Sequence, residues 1–326
     1  MASILEHIDL RDASAVIAAL NAGMQACRDT PGRRGCTEWV EIDAAHAGTP
    51  GATLIATGDL HDNPLHLARL VRAAGIDEAW EARHGTRLGE PGYPGGPGYP
   101  GPMHITLHEL IHGDRLVNGM DYSYRVLVRA AAMKSAFPER VHVLLANHEI
   151  AQLTGTAVAK DGVRCNEAFD EAIDAAFGDR AGEVRSAVHG FLGALPLAAR
   201  FRCAGLEGDV LCAHSLPAPE MMGSFDLGAL DRELTPEDFR SRTGAARAMT
   251  WGRGHTPEQV EELARRWNVR LFILGHEKAE QGWSVVSPRA VVLNSDHEGG
   301  VYARVDLASV GAAEEVGRGS VRLGEG

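Results

Sequence analysis

Four short apolar runs in this sequence each end in residues that can bind a metal ion, and together they could form a hydrolytic centre. Residues 53–57, Thr-Leu-Ile-Ala-Thr, lead into Gly58-Asp59-Leu60-His61. Residues 141–145 lead into Asn147-His148-Glu149, residues 210–213 into His214, and residues 271–274 into Gly275-His276-Glu277. Carboxylate, carboxamide and imidazole donors without thiolate suit Mn, Fe, Zn or Mg and differ from the thiolate set of a structural zinc cage. Two such ions ~3.5–4 Å apart can hold a phosphate, activate a water and steady both the attacking and the leaving oxygen. A histidine beside them that binds no metal could protonate the leaving group, and His148, next to Asn147, is the candidate.

Taken singly, each piece has an ordinary explanation. Asp59 with His61 reads as a loop carboxylate and a surface histidine, His214 and His276 as strand-end histidines, and Asn-His-Glu as a helix start. Their shared position after apolar runs is what favours the joint reading.

The elements that must position them alternate between strand and helix. Residues 105–111, 290–294 and 301–305 read as further strands, residues 65–74 and 122–137 as helices, and residues 167–195 as mostly helical. Such interleaving predicts α/β architecture, in which sites form at the carboxyl ends of strands. Residues 13–27 form a helix capped by Asp12, within an N-terminal helical extension over residues 1–50. Residues 85–102 hold Pro-Gly-Tyr-Pro-Gly twice, which excludes helix and central strand and predicts an inserted surface loop carrying Tyr93 and Tyr99. The tail from Ala312 is expected to fray.

With these residues in place, the chain resembles the calcineurin-like metallophosphoesterases and, within them, the phosphoprotein phosphatase branch. Gly58-Asp59-Leu60-His61 matches the first motif, and Ala146-Asn147-His148-Glu149 stands for the family's Gly-Asn-His-Glu. Cys212-Ala213-His214 and Gly275-His276 stand for its two later histidines, and Asn294-Ser295-Asp296-His297 faintly for its closing segment. The resemblance implies a four-layer αββα sandwich of two mixed sheets, one domain over residues 1–326 with its core at about 53–307. It places Asp59 and His61 on a first divalent ion, and Asn147, His214 and His276 on a second, with manganese foremost and His148 as general acid. Trp251-Gly252-Arg253 resembles a Trp-x-Arg segment of part of the family, which makes Arg253 a phosphate clamp, a task suited to its planar fork.

The family's second motif, Gly-Asp-x-Val-Asp-Arg-Gly, is not intact. One placement sets it on residues 108–113, with Glu109 as the carboxylate bridging both ions and His112 beside His148. The other uses Gly113-Asp114, with Asp114 as the bridge. The strand-end position favours Glu109. Neither placement keeps the motif's second Asp or its Arg. Two other readings remain. His108-Glu109-Leu110-Ile111-His112 matches the His-Glu-x-x-His of zinc proteases, which needs a helix, whereas the apolar run before it and Gly113 after it predict a strand. A binding protein that keeps the fold without the chemistry is the other.

Composition narrows the partners. A net charge of −12 excludes a broad basic face for nucleic acid. No run of ~18 apolar residues predicts a membrane span, and residues 1–12 lack a basic, apolar leader. Five cysteines without a C-x-x-C pair predict reduced thiols and a cytoplasmic location. The expected partner is a phosphate ester, whether phosphoprotein, nucleotide or small molecule.

Overall fold

The computed structural model describes residues 3–42, 52–84, 90–91, 103–160 and 162–324. Apart from residues 90 and 91, the loop expected over residues 85–102 lies outside them, Tyr93 and Tyr99 included.

Two mixed sheets form the centre. The larger has seven strands in the order Arg33–Arg34, Thr37–Ile42, Ala198–Cys203, Asp209–Ala213, Val269–Leu274, Ala290–Leu293 and Trp283–Ser287. The smaller runs Val321–Arg322, Val301–Asp306, Thr53–Thr57, His104–His108 and Val141–Leu144. Because side chains alternate along a strand, each sheet shows one face to the other sheet and one to helices. Leu54, Ala56, Val210, Cys212, Leu271 and Ile273 pack between the sheets, whereas Ile55, Leu211, Phe272 and Leu274 join the helix-facing core. The architecture is an α/β sandwich of two mixed sheets flanked by helices.

Local sequence explains the outer layers. Asp12 caps helix Ala13–Arg28 by accepting from Ser14 N at 2.9 Å. Val16 and Leu20 bury its inner face. Gly23 lets this helix meet helix Tyr124–Ala136, since a Cβ there would stand 2.7 Å from the Ala131 Cβ.

Three expectations change. Residues 37–42 are a strand of the larger sheet and not part of a helical extension, with Glu38 fully buried. The strand expected over residues 105–111 stops at His108. Beyond it the Leu110 and Ile111 N–H groups donate to the Glu149 carboxylate, at 2.8 and 3.4 Å, and not to a neighbouring strand. The tail does not fray at Ala312: Ala313–Arg318 is a short helix burying Ala313 and Val316, and Val321–Arg322 pairs with Val301–Tyr302. Among the described residues, no helix is long and apolar enough to cross a membrane.

Candidate metal centre

Parallel pairing brings the site together. Thr53–Thr57 and His104–His108 run parallel in one sheet, Asp209–Ala213 and Val269–Leu274 in the other. Their carboxyl ends open on the same edge of the sandwich, and Asp59 joins the two sheets through backbone bridges to His108 and Asn294. Glycines make this closure possible. A Cβ on Gly58 would lie 1.9 Å from the Leu293 carbonyl oxygen, and one on Gly275 would lie 2.4 Å from Asp59 Oδ1.

The backbone of the site is unusual as well. Among the described residues seven that are not glycine have positive φ, and five of them are His61, Asp62, Glu109, His112 and His276. Such conformations cost ~1–3 kcal/mol each and persist only where surrounding contacts enforce them. Here the His61 N–H donates to the Glu109 carbonyl at 2.7 Å and the His276 N–H to Asp59 Oδ1 at 2.8 Å.

Glu109 stands at the middle of the cluster. Its Oε1 lies 3.1 Å from His61 Nε2 and 3.3 Å from His148 Nε2, and its Oε2 lies 2.8 Å from His214 Nε2. His214 Nε2 is also 2.7 Å from Asn147 Oδ1 and 3.0 Å from His276 Nδ1. Among the described residues, three groups of His, Asp and Glu offer ligand atoms within 4.8 Å of one another: Asp59 with His61 and Glu109, Glu109 with His214 and His276, and Asp59 with His108 and His214.

This crowding fits a cation. A ring nitrogen holds at most one proton, so His214 Nε2 cannot satisfy three close neighbours by hydrogen bonding. Separations near 3 Å are those of adjacent ligands, each ~2.1 Å from a shared ion. His276 Nε2 is buried with no hydrogen-bond partner among the described residues.

Electrostatics tell the same story. Burial raises Asp59, and the charge of Glu109 adds to the rise. Burial also acts to raise Glu109, but His61, His214 and His148 around it outweigh that and hold its carboxyl well below the usual range. Burial works to lower His61, and the adjoining Glu109 carboxylate reverses this, lifting it to about 9. Burial holds His148 and His108 neutral, each pushed down to about 3. Glu149 rises to about 7 through burial and then through Glu109. Two carboxylates in one desolvated site thus part in opposite directions.

The structure brings together Asp59, His61, Glu109, Asn147, His148, His214 and His276, and it excludes Asp114 from the cluster. The Asp114 side chain is 69% exposed, with its nearest cation, Lys160, at 3.8 Å. Arg253 stands at the rim, where Nη1 donates to the His276 carbonyl at 2.9 Å. Asp59, His61, Glu109, His148, His276 and Arg253 line a cavity of about 660 Å³.

The zinc-protease reading of residues 108–112 is corrected. Positive φ at Glu109 and His112 breaks any helix. The two histidines also part: His108 Nε2 donates to the Thr57 carbonyl at 2.8 Å, while His112 Nδ1 pairs with Asp121 Oδ2 at 3.0 Å.

Sequence reasoning missed three contributors. His108 places Nδ1 3.1 Å from His214 Nδ1. Asp121 partners His112, whose ring centroid lies 5.4 Å from that of His148. Lys160 reaches the cavity from a hairpin of two-residue strands, too short to leave a periodic signal.

No protein-family model matches the chain, and no curated protein matches it by sequence. Solved structures do match. A protein serine/threonine phosphatase from Saccharomyces cerevisiae, with similarity to human phosphatase PP5, aligns with a TM-score of 0.60 at 16% identity, covering 90% of this chain and 83% of that one. The cold-active protein-tyrosine phosphatase of a psychrophilic Shewanella species aligns at 0.51 and 11% identity, covering 88% and 80%. Two mixed sheets flanked by helices, joined where Asp59 meets His108 and Asn294, give this chain the metallophosphoesterase fold shared by those phosphatases.

Proposed function

We propose that this chain is a binuclear metal-dependent phosphoesterase. The observation that carries the reading is the convergence of Asn147 Oδ1, Glu109 Oε2 and His276 Nδ1 on His214 Nε2, each within 3.0 Å. Asp59 and His61 would hold one ion and Asn147, His214 and His276 the other, with Glu109 between, one carboxylate oxygen toward each group. Oxygen and imidazole donors admit Mn, Fe, Zn or Mg, and manganese is the first to test. Two divalent ions, when bound, supply positive charge against phosphate oxygens and lower the pKa of water.

The chain's own residues do the rest. Arg253 presents its guanidinium at the cavity rim, where its fork can grip two phosphate oxygens. His148 holds its proton at Nε2, on the Glu109 side of the ring, and passes it to the departing oxygen. Burial alone holds this imidazole neutral, so the acid role requires a second proton on the ring, which the charge of a phosphate dianion beside it would favour. Asp121 fixes the His112 ring, and His112 packs against His148 to steady its orientation.

The substrate is a phosphate ester, open among phosphoprotein, nucleotide and small molecule. Five buried, unpaired cysteines favour a reducing cytoplasm, and the continuity of the two sheets favours one domain. The test is hydrolysis of p-nitrophenyl phosphate by protein stripped with chelator and then reloaded with manganese. About two ions per chain, with turnover lost on stripping and regained on reloading, is the expected result. Full turnover after complete stripping would overturn the mechanism. Failure to bind any ion would turn the reading toward a binding protein that kept only the fold.

A further inference from the structure

The sequence holds three lysines, Lys134, Lys160 and Lys278. Lys134 is sealed in the core, whereas Lys160 lines both the main cavity and a smaller one of about 130 Å³ beside it. Its ammonium occupies an unexpected place. Nζ lies 3.3 Å from His61 Nε2, 3.5 Å from His61 Nδ1 and 3.1 Å from the His112 carbonyl oxygen.

The His61 ring is already committed to other partners. Its Nδ1 faces the Ile111 carbonyl at 3.3 Å and its Nε2 faces Glu109 Oε1 at 3.1 Å, so neither ring nitrogen is free to accept from Lys160. The His112 carbonyl then satisfies one of three N–H groups, and Asp114, 3.8 Å away and mostly exposed, screens the charge only weakly. Two N–H donors and a full positive charge are left beside the site of a second positive charge. An anion between them resolves both the repulsion and the unmet donors.

The loop's own cation is engaged elsewhere, because Arg115 donates to the His61 carbonyl and to Asp296 Oδ1, each at 2.7 Å. A Cβ on Gly113 would lie 2.1 Å from the His61 carbonyl oxygen, so the position where the resemblance would put an arginine admits glycine alone. Lys160 arrives instead from the hairpin of Ala159–Lys160 and Val163–Arg164. It stands beside His61, and Arg253 beside His276, and both line the main cavity.

Resting on the phosphoesterase reading, we propose that Lys160 is a phosphate-binding residue which, with Arg253, clamps the substrate's non-bridging oxygens and selects a dianionic terminal phosphate, a phosphomonoester, over a diester. A monoester offers three non-bridging oxygens and two charges to this arrangement, while a diester offers two oxygens and one charge.

Calorimetric titration of manganese-loaded protein with orthophosphate tests the idea directly, alongside KM for p-nitrophenyl phosphate and bis-p-nitrophenyl phosphate. Lys160→Met is expected to weaken orthophosphate binding by ~10–100-fold, the loss of a charge-assisted hydrogen bond, while keeping the wild-type metal content. The variant should raise KM for the monoester far more than for the diester. Lys160→Arg should recover most of the affinity. Unchanged orthophosphate affinity in a fully metal-loaded Lys160→Met protein would overturn the proposal and leave the phosphoesterase reading standing. Loss of an ion from that variant would also overturn it, by making Lys160 a support for the metal site. Wild-type protein that neither loads metal nor binds orthophosphate would instead remove the reading on which the proposal rests.

Discussion

Glu109 and Asp114 compete for one role, and their surroundings separate them. Glu109 is 3% exposed and reaches His61, His148 and His214 with its two oxygens, so removing its charge leaves buried imidazoles without their shared partner. Asp114 is mostly solvated, where an ion pair contributes ~0–1 kcal/mol. Glu109→Gln is therefore expected to lose at least one metal ion and nearly all turnover, with Asp114→Asn retaining both ions and activity within a few-fold. Metal analysis of the two purified variants checks this, and the opposite pattern would return the bridge to Asp114.

At the scale of elements, what the sequence made legible follows from how each signal is produced. The strands ending before Asp59, Asn147, His214 and His276 are mostly apolar runs closed by polar residues, because both of their faces are covered. The turn after His108 left no such trace: Glu109 and His112 adopt positive φ because Glu149 and Ser123 bind the neighbouring N–H groups, and those partners are distant in sequence. Strand Thr37–Ile42 was hidden by Glu38, a charge at an inward position that becomes tolerable only beside Lys134 and His142. Close approach of elements was likewise invisible until glycines could be seen against their neighbours. Gly58→Ala should lower stability by ~1–3 kcal/mol or more, since its Cβ would meet the Leu293 carbonyl oxygen, which cannot move without disturbing the strand. Gly182→Ala, in open space at the start of helix Ala181–Leu192, should be neutral or stabilising by up to ~1 kcal/mol. Urea midpoints of the two variants would contradict this account if they shifted equally.

Across the whole molecule, the buried cluster of Glu38, Lys134 and His142 ties the two sheets and a helix together. Lys134 Nζ lies 2.8 Å from Glu38 Oε1, and His142 Nδ1 lies 2.6 Å from Glu38 Oε2, with all three side chains fully buried. Burial acts to raise the Glu38 pKa, and Lys134 and His142 together more than offset it, so the folded value lies below the unfolded one near 4.5. A depressed carboxyl contributes its stability above about pH 4.5 and loses it as pH falls through the folded value. Glu38→Gln, which strands a buried ammonium, should cost ~3–5 kcal/mol at pH 7. The gap from wild type should narrow below about pH 4.5, and urea unfolding that shows a constant gap down to pH 3 would refute this pairing. The pairing of Val301–Asp306 with Thr53–Thr57 bears on how the chain is made. On the ribosome, the strand that leads into Asp59 keeps an open edge until Val301–Asp306 has been synthesised. Until then the nascent protein carries a bare, apolar strand edge, the kind of surface that chaperones shield.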